Sequence, residues 1–95
     1  MTRILFHRAA KSELIDAVAY YETQSAGLGD EFLREVEEAL QSIARNPRIG
    51  SLYKTTGLRH VRVRRFPYVV FYLNSQTTQT LWIVAVAHGK RRPDY

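Results

Sequence analysis

Cysteine is absent from this 95-residue chain, which excludes disulfide staples and thiolate metal sites and fits a reducing, cytoplasmic setting. Long apolar runs are absent too. No stretch approaches the roughly eighteen consecutive apolar residues that a bilayer span needs, so no membrane partner is expected. The opening MTRILFHRAAKSE turns charged after three apolar residues, which is not the pattern of a secretory signal. Repeats, low-complexity tracts and internal linkers are lacking, so residues 1–95 are expected to form a single domain with one modest core. Metal-ligand spacing is missing: the histidines stand at positions 7, 60 and 88, and no metal site is expected. GLG at 27–29 has no following lysine, so it reads as a helix turn rather than a phosphate loop, and no cofactor is expected.

The most informative scarcity is acid in the second half. Residues 1–50 hold six Lys/Arg against eight Asp/Glu, net −2, whereas residues 51–95 hold eight Lys/Arg against the lone acid Asp94, net +7, which together give the overall +5. Segregation of this kind implies one basic face and a negative partner such as nucleic acid, a ribosome or an acidic protein. Its densest part is RHVRVRR at 59–65.

What is present reads as strand, helix, helix, and then three strands. ILF at 4–6 suggests a short opening strand. Ala10, Leu14, Val18 and Tyr21 recur at helical spacing from Ala9 to about Gln24, with Ile15 and Ala19 widening the stripe. SAGLGD at 25–30 reads as the turn of a helical hairpin with Asp30 as its cap. A second helix over about 31–45 puts Phe32, Leu33, Val36, Leu40 and Ile43 on one face, and Asn46-Pro47 ends it. Strands are expected at about 58–66, 68–74 and 80–88, with a corner at Phe66-Pro67-Tyr68 and a polar hairpin loop at 74–79. The fold class is therefore α+β: a helical hairpin on one face of a small antiparallel sheet of about four strands.

Two features remain after the helices take one face. YVVFYL and LWIVAVA are apolar at nearly every position, so the far face of the sheet also avoids water. It is expected to dock a partner, the alternative being a second small core closed by twist. The arginines divide by alternation: Arg62 and Arg64 on one face, Arg59 and Arg65 on the other. Arg62 and Arg64 suit a phosphate or carboxylate partner, or else a solvated edge. Arg59 is a candidate structural partner for Asp16 or Glu22. His60 reads as a surface residue, Tyr20, Tyr21 and Trp82 as core, and Lys90, Arg91 and Arg92 as a terminal binding segment packed through Pro93 and Tyr95.

The stretches AVAYYETQSAGLGDEFLREVEEAL (17–40), NPRIGSLY (46–53), LRHVRVRRFPYVVFYL (58–73) and VAVAHGKRRPDY (84–95) resemble the ParE/RelE superfamily, toxins of type II toxin–antitoxin modules, and look most like the ParE branch. The resemblance implies a toxin that inhibits DNA gyrase by binding the enzyme or its DNA complex, as in plasmid-stabilisation modules. It also implies a cognate antitoxin, ParD-like or other, in a toxin–antitoxin hetero-oligomer. On that reading Arg59, Arg62, Arg64, Arg65, Lys90, Arg91 and Arg92 form the target- or antitoxin-binding surface. The RelE branch implies instead a metal-independent, ribosome-dependent mRNA endonuclease. Its basic residue before the meander corresponds to Lys54, and its terminal basic, His and Tyr positions to His88, Arg91, Arg92 and Tyr95. Its second-strand arginine falls at about Val69, which cannot stabilise a phosphate, so on that reading Arg62 or Arg64 would substitute from the neighbouring strand. A non-toxic nucleic-acid-binding or interaction module accounts for the basic face but not for the remaining motifs.

Overall fold

The computed structural model describes residues 2–89. Strand β1 (Arg3–Phe6) leads into α1 (Arg8–Gln24) and α2 (Leu28–Arg45), followed by β2 (Ser51–Leu52), β3 (Arg59–Arg62), β4 (Tyr68–Ser75) and β5 (Thr80–His88). The sheet order is β1-β5-β4-β3-β2. The α+β class and the helical hairpin are as the sequence implies, with two additions. A two-residue fifth strand pairs Ser51 with His60 and Leu52 with Arg59, and β1 runs parallel to β5, with Ile4 opposite Leu81 and Phe6 opposite Ile83.

The hairpin differs in detail from the sequence expectation. Helix α2 begins at Leu28, three residues early, after Gly27 adopts φ 86°. Asp30 sits inside the first turn and does not cap it. The cap comes from α1: the Glu22 carboxylate accepts the Gly27 N–H (2.9 Å) and the Gly29 N–H (3.0 Å). An acid there satisfies free amide donors and suits the positive end of the helix dipole. Gly29 lies so close to α1 that a Cβ would meet the Val18 carbonyl oxygen at 2.7 Å. Along α1 the apolar stripe is narrower than the sequence suggests, with Ala10 and Ala17 buried and Ile15 58% exposed. Helix α2 buries Phe32, Val36, Leu40 and Ile43, as its periodicity implies, with Leu33 half-buried.

The main core lies between the hairpin and the sheet, where Phe32, Val36 and Ile43 meet Val70, Tyr72, Leu81, Ile83 and Val86. An aromatic cluster closes one end, with the Phe32 ring 5.0 Å from both Phe66 and Tyr68. A bulge lets β5 serve two faces. Phe71 pairs with Ala85 and Tyr72 with Ile83, leaving Val84 as the additional residue. Side-chain parity therefore switches along the strand: Leu81, Ile83 and Val86 face the helices, while Trp82, Ala85 and Ala87 face away.

That outer face corrects the docking expectation over most of its area. Tyr53 and Leu58, from the loop between β2 and β3, cover Val69, Phe71, Ala85 and Ala87 as a second small core. The loop is tied down by its own bonds: the Tyr53 N–H donates to Leu58 O at 2.8 Å, and the Thr56 hydroxyl donates to Tyr53 O at 2.7 Å. Among the described residues, the far end is left uncovered, where Leu73 (41% exposed) stands opposite Trp82 (38%). Trp82 is thus a surface residue of this strip rather than core.

Candidate functional site: a basic edge beside an aromatic cleft

The arginine stretch does not act as one unit. Strand β3 ends at Arg62, and Val63 N–H donates to Tyr68 O at 2.9 Å, so residues 64–67 form the turn of the β3–β4 hairpin. Arg65 takes a left-handed φ of 70°, which directs its guanidinium to α2. There it bonds Glu31 at 2.8 Å and lies 3.8 Å from Glu35. The hydrogen bond and charge of Glu31 raise its pKa. Arg59 pairs with neither Asp16 nor Glu22, since its Nη1 donates to the Gly50 carbonyl at 2.8 Å. Two of the four arginines in this stretch are therefore structural.

Arg59 belongs to a staple that holds the 47–50 loop against the sheet. The Tyr72 hydroxyl donates to Pro47 O at 2.7 Å and accepts the buried Gly50 N–H at 3.0 Å. Burial raises the Tyr72 pKa, offset in part by the Gly50 bond and the Arg59 charge. Gly50 has no space for a side chain, because a Cβ would lie 2.7 Å from the Tyr72 hydroxyl and 2.8 Å from His60 O. NPRIG carries no periodic or charge pattern that points to this role.

Arg62 and Arg64 are exposed and, among the described residues, carry no hydrogen bond or ion pair. Arg62 stands opposite Val69 on β4, and Val69 opposite Ala87, so this guanidinium lies on the outer face. Along that face the Arg62–Val69 row and the Leu73–Trp82 row are four β4 residues apart, roughly 13 Å at the usual strand rise. The covered Tyr53–Leu58 patch lies between them.

His88 is placed elsewhere. It pairs with Tyr68, the β4 neighbour of Val69, and successive strand residues point to opposite faces. His88 therefore faces the helix side, its ring 5.4 Å from that of Tyr68, and Arg62 faces the other. Lys54 is exposed on the covering loop, its ammonium 5.1 Å from the centre of the Tyr53 ring. His60 is half-buried on the outer face beside Tyr53 and Phe71. Lys90, Arg91, Arg92 and Tyr95 lie outside the described residues. Within them, His88 and Arg62 are not brought to one face, His60 is the histidine that shares the outer face with Arg62, and no group of three or more metal-capable side chains forms.

Near His88 a cleft of about 780 Å³ opens between α1 and the end of the sheet, lined by Tyr20, Tyr21, Tyr68, Glu13 and Asp16 among others. Tyr21 is core, packed 5.1 Å from Phe32. Tyr20, expected in the core, is 55% exposed.

Residues 4–93 match the family described as the ParE toxin of the type II toxin–antitoxin system parDE. The chain belongs to the ParE toxin family. No curated protein sequence matches this ParE-family chain significantly, but its fold recurs in solved structures. The chromosomal ParDE system of P. aeruginosa aligns with TM-score 0.65 at 14% identity, over 93% of this chain and 96% of that one. The intact E. coli RelBE toxin–antitoxin complex gives 0.66 at 14% identity, over 96% and 100%. A YoeB/ParE toxin from Agrobacterium tumefaciens gives 0.64 at 12% identity, over 92% and 98%. ParE-type and RelE-type neighbours fit equally well, so the fold alone does not separate their activities.

Proposed function

We propose that this chain is a cytoplasmic ParE-like toxin that inhibits DNA gyrase by binding and is held inactive by a cognate antitoxin. The observation that carries the reading is the separation of His88 from Arg62 on opposite faces of the sheet; Val69, where the resemblance to the nuclease branch puts its arginine, is buried. Metal-free RNA cleavage requires a base, a charge-stabilising cation and an acid around one phosphate. A binding mechanism requires only an accessible basic surface, which Arg62 and Arg64 supply. The antitoxin is proposed to lie on the outer face as an acidic and apolar segment. With about 13 Å between the Arg62 and Leu73–Trp82 rows, roughly four extended residues would span from a carboxylate contact to an apolar one.

The test pairs two assays on one sample. Relaxed plasmid with gyrase and ATP is expected to lose supercoiling and accumulate linear DNA when the protein is added, and His88→Ala is expected to leave that effect intact. Intact supercoiling, with mRNA cut only on translating ribosomes, would replace this reading with the nuclease one and make His88, Arg91, Arg92 and Tyr95 the next residues to substitute.

A further inference from the structure

The aromatic cleft has a chemistry opposite to that of the basic edge. On α1, Glu13, Asp16 and Tyr20 follow at helical spacing and lie along one side, opposite Tyr68 and His88 of the sheet. Glu13 is pinned there because its Oε1 accepts the Val86 N–H at 2.9 Å. Asp16 is exposed and has no hydrogen bond or ion pair among the described residues. The rings form a continuous wall: Tyr20 to Tyr21 at 5.3 Å, Tyr21 to Tyr68 at 6.0 Å, and Tyr68 to His88 at 5.4 Å.

Chemistry selects among ligand classes. An apolar group seated here would strip water from the Asp16 carboxylate and return nothing. A phosphate or carboxylate would be repelled by Glu13 and Asp16. A cation gains from both the carboxylate and the faces of the tyrosines. A guanidinium gains most, because its planar fork pairs with a carboxylate while its face stacks on a ring. The cleft volume lies within the roughly 300–1,000 Å³ of ordinary ligand sites, enough for one long side chain and its flanking backbone.

We propose that the α1–β5 cleft receives an arginine side chain from a polypeptide partner, with Asp16 as its carboxylate partner and Tyr20 as its stacking face. The assignment does not depend on gyrase as the target. If the partner is the antitoxin of the proposed function, that antitoxin presents an arginine here as well as acids to Arg62.

The probe is the capped peptide acetyl-Leu-Arg-Leu-amide, titrated into the isotope-labelled full chain at pH 7, beside the same peptide with neutral citrulline replacing arginine. The arginine peptide is expected to shift the amide resonances of Asp16, Tyr20 and Tyr21, and the citrulline peptide to bind at least tenfold more weakly. Asp16→Asn should reduce arginine binding to the citrulline level with an unchanged melting temperature, since the residue is exposed. Equal binding of the two peptides, or no shifts at these residues, overturns the proposal. So does a K90Q/R91Q/R92Q chain that binds the arginine peptide tenfold more tightly than wild type, which would assign the cleft to the chain's own cationic end.

Discussion

Replacing Tyr72 with Phe removes one oxygen from a buried residue and leaves the ring in place, which isolates the staple that holds residues 47–50. Tyr72 is 1% exposed, and its hydroxyl makes two bonds: donating to Pro47 O at 2.7 Å and accepting Gly50 N–H at 3.0 Å. The Gly50 amide is buried and would lose its acceptor, which costs about 1–3 kcal/mol. Pro47 is half-buried, so its carbonyl is expected to recover part of its loss from water. A total of about 2 kcal/mol follows, equivalent to a fall of roughly 8–16 °C in Tm for a domain of this size. Gly50→Ala strikes the same staple from the other side, its Cβ 2.7 Å from the Tyr72 hydroxyl, at a cost of about 1–3 kcal/mol for overpacking. Because the two changes share a contact, the double variant should be less destabilised than their sum by at least about 0.5 kcal/mol. Urea denaturation at pH 7 measures all three, with Tyr20→Phe as the exposed control. A loss below about 0.5 kcal/mol for Tyr72→Phe, or strict additivity, would refute the staple as described.

Three further outcomes are expected. Glu22→Ala removes both bonds to the start of α2 and a charge at its positive end, so it should destabilise by about 1–2 kcal/mol in the same denaturation assay, with Glu22→Gln intermediate. Stability should fall as pH rises above about 10, the ordinary tyrosine value. Tyr21 and Tyr72 have raised pKa values in the folded state, chiefly through burial, so the unfolded chain loses these protons first. Their stabilising contribution is full below that pH and lost as pH climbs through the folded values, and Tyr72→Phe should blunt the decline in pH-dependent melting. Arg62→Glu with Arg64→Glu should weaken antitoxin binding or toxicity at least tenfold, about 1.4 kcal/mol, with unchanged melting. If neither binding nor toxicity moves, the two arginines are solvated decoration.

The sequence reports local regularities faithfully and remote partners hardly at all. Periodicity located both helices because each buries a continuous stripe, but it could not show that Glu22, six residues before α2, caps that helix. Alternation extended the first meander strand to residue 66, since Arg and Val continue to alternate there. The backbone leaves the strand at Arg62 because the left-handed Arg65 builds the turn. The apolar runs of β4 and β5 announced two buried faces correctly. What covers the second was hidden, because Tyr53 and Leu58 flank a polar, glycine-containing loop that carries no periodic signal. Of the candidate site residues, the face that Arg62 occupies was legible by parity, whereas Arg64 falls in the turn beyond the strand, and the structural duties of Arg59 and Arg65 depend on a carbonyl and two carboxylates that only the fold brings near.

The parallel pairing of β1 with β5 constrains the order in which the sheet can assemble. Residues 3–6 find their partners at 80–83, so the first strand synthesised waits for nearly the last. Long-range closure of this kind is slow to nucleate and follows the local helical hairpin. Until residues 80–83 are available, β1 has no strand to pair with and the sheet stays incomplete. The edge of the sheet that β1 closes is therefore among the last parts of the fold to form, after the helical hairpin and the locally paired β3–β5 meander.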